Sequence, residues 1–203
     1  MTKPKFIFTA AFFLACLFSP VQSFGQAPDK PQADASYEVV LQVLIASNAA
    51  SDKSSASPAL SNVVKKLKTN YPFSNYRVAS TYLQRIADTG SASSNAVSNE
   101  SNQNDGSPIF SEWAIDQFLT LPGAGGQNSI SIRNFRFGQR VPIKTAILTD
   151  AEKPNAVVNY ERIGVAISRL NLPVNMPTVI GNLSAPKSGE LMFLILTVKP
   201  VEE

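Results

Sequence analysis

Glu112, Asp116 and Glu161 are the candidate catalytic carboxylates in strand-like stretches, and they set the chemistry open to this chain. Any two of them could act as acid and base in hydrolysis or group transfer if they converged within about 5–10 Å. Trp113, beside Glu112, suggests an aromatic platform for a sugar with carboxylates nearby. Side chains alternate along a strand, however, so Trp113 points away from both neighbouring carboxylates and belongs in a core. The rest of the usual repertoire is missing. The chain has no histidine, and its one cysteine, Cys16, lies in an N-terminal apolar run. Ser-His-Asp and Cys-His nucleophiles, His-ligated metals and imidazole acid–base chemistry therefore drop out. No Asp/Asn run has the spacing of a calcium loop. The expectation is no cofactor, no metal and no enzyme. A carboxylate-dependent hydrolase and a carbohydrate-binding β-sandwich stand as the alternatives.

The basic residues are few and scattered. Arg133 and Arg136 are interleaved with Phe135 and Phe137, the pattern that stacks on and neutralises single-stranded nucleic acid, but two arginines are too few for that work. Lys65, Lys66 and Lys68 cover the polar side of a short helix. These five cations are the candidate partner surface, for a protein and not for nucleic acid. Arg77 and Arg85 share one face of a strand and read as the wet side of a sheet. Gly123-Ala-Gly-Gly126 lacks the following Lys-Ser/Thr of a phosphate loop and reads as a hairpin turn.

The N-terminus explains where the chain is expected to work. Lys3 and Lys5 precede an apolar run from Phe6 to Phe18 interrupted by Thr9, too short for a span of about 20 residues. Pro20 follows, and Val21-Gln22-Ser23 suits cleavage after Ser23, so residues 1–23 read as an export signal. The mature protein is then periplasmic or secreted, with no transmembrane span. An outer-membrane lipoprotein anchored through Cys16 is the alternative, because Ala15 supplies the small residue before that cysteine. Loss of Lys3 and Lys5 lowers the formal charge from +3 to +1. The mature chain has no disulfide available, so a hydrophobic core must hold it together.

The elements follow in order. Residues 24–36 form a flexible leader. Tyr37–Ala46 alternates cleanly, with Tyr37, Val39, Leu41, Val43 and Ile45 apolar and Glu38 and Gln42 opposite. Ser57-Pro58 reads as a helix cap with proline at the first position, and Leu60, Val63, Val64 and Leu67 recur at helical spacing. A second strand runs over 76–87, with Tyr76, Val78, Ser80, Tyr82 and Gln84 on one face. Together these make a β-α-β unit over 37–87. Residues 88–107 are Ser/Asn-rich and carry too little apolar surface to fold. From 108 to 203 the chain reads as an antiparallel sheet or sandwich. Ile109, Trp113, Ile115, Leu119 and Leu121 share one face of its first strand, Gly138-Gln139 begins a turn, and Gly164 marks a bulge or bend. Leu191–Val198 is the most apolar strand and belongs at a sheet centre, buried on both faces. The fold class is α+β and strand-dominated.

The C-terminal stretch resembles the bacterial secretin family. Val174-Asn-Met-Pro-Thr-Val-Ile-Gly-Asn-Leu183, a polar loop, and Glu190-Leu-Met-Phe-Leu-Ile-Leu-Thr-Val-Lys-Pro200 are similar to that family's closing turn and strand. Pro177, Gly181 and Leu183 match in order, and Thr197 with Pro200 approximates the ending. The resemblance covers about 30 of the 203 residues and departs from the family where its longer channel core should lie. It implies a short relative or accessory, built as a protein-binding or structural part of a secretion or pilus type assembly. Its partner, on that reading, is a protein of the envelope; the oligomeric state stays open.

Overall fold

The computed structural model describes residues 35–49, 55–98, 107–122, 128–150 and 153–201, with side chains left undescribed over 144–157. The expected export signal, Cys16 and most of the expected leader lie outside the described residues, as do 99–106 and 123–127, where the hairpin turn at Gly123–Gly126 is expected.

Among the described residues, eight strands and one α-helix follow one another. They are β1 (Ser36–Ser47), α1 (Ser61–Asn70), β2 (Asn75–Ala87), β3 (Ala92–Ser98), β4 (Ile109–Pro122), β5 (Asn128–Asp150), β6 (Lys153–Pro173), β7 (Thr178–Ser184) and β8 (Leu191–Pro200). They form two four-stranded sheets, ordered β2-β1-β8-β7 and β3-β4-β5-β6. All named strand pairs are antiparallel. The strand-dominated α+β expectation holds.

The core explains the arrangement. Tyr37, Val39, Leu41 and Val43 of β1 and Met192, Leu194, Leu196 and Val198 of β8 pack against Trp113, Ile115, Phe118, Ile130, Ile132, Phe135 and Phe137 of the second sheet. The opposite face of β1 and β8 is apolar at one end, where Leu44, Ala46, Phe193 and Ile195 meet Leu60, Val63 and Leu67 of the helical segment. β8 is thus buried on both sides, as its composition predicts. Tyr71 adds an edge-on contact to Phe193 with ring centroids 4.9 Å apart. Tyr37 ties the sheets together: its hydroxyl accepts from Thr120 Oγ1 at 3.0 Å, and its ring lies 5.2 Å from Phe118.

Several expectations are corrected by the pairing. Pairing also settles a point the sequence leaves open: β1 of the β-α-β unit pairs with β8 as well as β2. The unit's two strands are antiparallel neighbours, closed by β8 and β7 into one sheet. Ser57 makes no side-chain cap; Pro58–Leu60 is a 3₁₀ turn and α1 starts at Ser61. Residues 92–98, expected to lack structure, form β3 and pair with β4 from Ile115 to Ile109. Backbone hydrogen bonds to an existing strand order this segment, and Ala92 packs on the core without any large side chain. Gly138 and Gln139 do not turn the chain; β5 runs straight through them, with Gly138 facing Glu112 and Gly164. Gly164 is no bulge. A Cβ there would lie 2.6 Å from the Phe137 carbonyl oxygen, so glycine permits close strand approach.

The face of β4 also changes. Trp113 and Ile115 are buried, but so is Phe118, while Leu121 is exposed. The same shift in parity occurs from Phe135 to Ile132 in β5 and from Ile167 to Leu170 in β6. Asp116, Asn134 and Ser168 lie at that level, between the rows Ile115–Phe135–Ile167 and Gln117–Arg133–Arg169. Asn134 adopts φ +53°. Each strand takes one extra residue at the same height, so register survives while every side chain beyond it changes face. In β2 a register shift opposite Val43/Leu44 does the same on a smaller scale. Tyr76 and Val78 face the helix, whereas Ala79, Tyr82 and Ile86 face the second sheet. The single face expected for Tyr76 to Gln84 is therefore split.

Candidate functional site

Two of the three carboxylates named by the sequence, Glu112 and Asp116, face arginines. Glu112 is ion-paired with Arg162 across Gly138, on the exposed side of the second sheet. Asp116 accepts from Arg136 at 2.6 Å, with both side chains exposed. Four residues of strand separate Glu112 from Asp116 by roughly 13 Å, beyond the reach of a shared bond-breaking centre. Glu161 stands on β6 opposite Val141 and is exposed. No group of three or more His, Cys, Asp or Glu that could hold a metal occurs among the described residues. Trp113 is 2% exposed, which removes it as a sugar platform.

The five basic residues do not form one surface. Lys65, Lys66 and Lys68 are exposed on α1, which covers the outer face of the first sheet; Lys68 lies 5.9 Å from the Tyr76 ring centroid. Arg133 and Arg136 are exposed on β5, in the other sheet. Arg77 and Arg85 also separate. Arg77 turns inward toward Glu190, while Arg85 stays exposed.

Two features were not legible as sites. The first is the length of the β5–β6 hairpin. β4 pairs with β5 only as far as Arg140, yet β5 and β6 stay paired from Val141–Glu161 to Asp150–Lys153. The hairpin therefore extends past the sheet as a two-stranded ribbon. At its base, Phe110 and Tyr160 are exposed and meet edge-on at 5.5 Å, with the Arg140 guanidinium 5.6 Å from the Phe110 ring. Among the described residues no strand pairs with the outer edge of β6 along its 21 residues.

The second is a cavity of about 250 Å³ between the sheets at their open end. Val43, Ile45, Ala79 and Met192 give it apolar walls on one side, Ile109 and Pro142 on the other. Arg77, Glu190 and Lys187 reach it from the rim. The Glu190 side chain is 4% exposed; Lys187 Nζ lies 3.1 Å from Oε1, at ion-pair distance without hydrogen-bond alignment, and Arg77 is 4.0 Å from Oε2. Gln139 donates to Ser111 Oγ at 3.0 Å deeper in. The parity shift in β2 builds this wall, because it turns Ala79, Ser80 and Tyr82 to the same side as Arg77.

No family model matches the chain, and no curated protein does. Among solved structures the chain is similar to the open-gate secretin InvG of the Salmonella SPI-1 type III secretion injectisome, residues 176 to the end. The two are 11% identical with a TM-score of 0.35; the match covers 84% of this chain and 61% of the length of that one.

Proposed function

We propose that this chain is a non-enzymatic, exported envelope protein that serves as a protein-binding or structural part of a secretion or pilus type assembly, and that it binds by strand addition at β6. The single observation that carries this reading is the length of that edge. The other edges are shorter: β3 and β7 have 7 residues each, and β2 has 13 with Ser55 bridged to Arg77 beside it. β6 has 21. A long row of unpaired N–H and C=O groups is a template for another strand, and folded proteins normally shorten or cover such rows. The ribbon strengthens the argument, because a two-stranded hairpin alone is marginal in water and gains stability from a third strand. Phe110, Tyr160 and Arg140 at its base are the residue types enriched where proteins meet. The envelope setting rests on the N-terminal export signal, and the assembly on the residues shared with the secretin ending.

Site-specific photocrosslinking in the native envelope tests both parts. A photoreactive residue at Tyr160 should yield adducts with a component of the secretion or pilus apparatus, or with a second copy. The same residue at Leu83, exposed at 57% on β2, should yield few. Equal adducts at the two positions, or none at Tyr160, would remove the proposal.

A further inference from the structure

The cavity between the sheets is separate from the β6 edge, and its chemistry points to a small ligand. We infer that it binds a short apolar-tailed monocarboxylate, with the Arg77 guanidinium holding the carboxylate and the tail between the sheets. Arg77 is the residue at the cavity rim best suited to hold an anion. The Arg77 side chain is 25% exposed, and its contact is the 4.0 Å approach to Glu190. Guanidinium presents five donors in a fork that matches a carboxylate, and a single 4.0 Å approach to Glu190 leaves that fork open to a ligand. Ser80 and Tyr82 line the same wall and place two more hydroxyls beside Arg77.

Charge selects the sign of the ligand. Arg77 and Lys187 outnumber Glu190, so the rim carries one net positive charge at neutral pH. A cationic ligand would raise that excess, whereas a carboxylate cancels it. Size and walls select the tail. At about 250 Å³ the space is small beside the roughly 300–1,000 Å³ of drug-sized sites, and its lining residues Val43, Ile45, Ile109 and Met192 are apolar. A short aliphatic or aromatic chain fits both facts. Such a carboxylate is available from a free organic acid or from the C-terminus of a peptide ending in an apolar residue.

Titration calorimetry on the purified chain distinguishes these outcomes. The probes are hexanoate, hexylamine, a hexapeptide ending in leucine with a free carboxylate, and its C-terminal amide. Hexanoate or the free-acid peptide should bind, with hexylamine and the amide at least tenfold weaker. Hexanoate alone identifies a free acid as the source, and tighter binding of the free-acid peptide identifies a chain terminus. Arg77→Met should weaken the bound carboxylate at least tenfold, equivalent to about 1.4 kcal/mol. Arg77→Lys, which keeps the charge and loses the fork, should weaken it less and guards against misfolding of the first variant. Glu190→Gln should preserve or tighten carboxylate binding, because it removes the negative rim charge. Hexylamine binding as well as hexanoate would overturn the assignment. So would undetectable carboxylate binding at millimolar probe, or an affinity unchanged in folded Arg77→Met and Arg77→Lys proteins.

Discussion

At the scale of single residues, the sequence identifies types well and environments poorly. Trp113 is core, as alternation around Glu112 predicts, but its buried Nε1 finds no hydrogen-bond partner, which no pattern announces. Arg77 looks like a solvated strand residue and instead meets a buried glutamate 113 positions later, a contact that only the closed sheet creates. Glycines show the same divide. Gly164 and Gly181 look alike in sequence, yet a Cβ at the first would meet the Phe137 carbonyl oxygen at 2.6 Å and one at the second would meet nothing within 4 Å. Gly164→Ala should therefore destabilise by about 1–3 kcal/mol, while Gly181→Ala should be neutral or stabilise by about 0.4–1 kcal/mol through the unfolded chain. Denaturant midpoints of the two variants check this, and equal shifts would contradict it. Tyr76 gives a pH signature. Burial, with Tyr71 adding to it, pushes its phenol above the ordinary 10.0. Below the unfolded value near 10 both states keep the proton and stability is full; as pH rises toward the higher folded value, the unfolded chain ionises first and stability falls. Tyr76→Phe should flatten that alkaline decline in denaturation measured from about pH 8 to 11.

Elements were legible where one period held from end to end. β1 and β8 keep strict parity, and their burial follows their sequence. β4 does not. Counting by twos from Trp113 leads to Leu119 and Leu121, and the structure buries Phe118 in their place. The cause is the row Asp116, Asn134 and Ser168, where three strands gain a residue together. A matched insertion leaves hydrogen-bond register intact, so no gap or proline marks it. The one local signal is asparagine, a residue type that tolerates positive φ, at position 134. Phe118→Ala should cost about 3–5 kcal/mol, the loss typical of a buried ring. Leu121→Ala, at 41% exposure, should stay within about 0.5 kcal/mol, as surface changes do. Comparable losses at both positions would mean that β4 keeps one face throughout. β3 is hidden from the sequence for a related reason. Its Ser/Asn composition carries no apolar period, and its order comes from hydrogen bonds to β4, which composition cannot display.

The whole molecule is where the sequence is least informative and the geometry most useful. The first and last strands of the described fold share a sheet, so a reading that moves along the chain separates what folding joins. The reach of the β5–β6 ribbon beyond the sheet appears only once the β4–β5 pairing is seen to end at Phe110 and Arg140, because two strands of equal apolarity differ in exposure by what lies beside them. That edge makes a prediction about dynamics. In a central strand every amide is paired, whereas at an edge alternate amides point outward without a partner. Amide exchange followed residue by residue in dilute protein should show β1 from Tyr37 to Ala46 and β8 from Leu191 to Leu196 protected, since each has a neighbour on both sides there. β6 should alternate, with the amides facing β5 protected and the others exchanging quickly. Binding by strand addition then adds protection at the fast set alone, while the slow set and the helix α1 change little. Docking through the lysines of α1 would instead leave the alternation in β6 untouched. Uniform protection along β6 in the dilute monomer would show that its edge is already covered, and strand addition there would have to be abandoned.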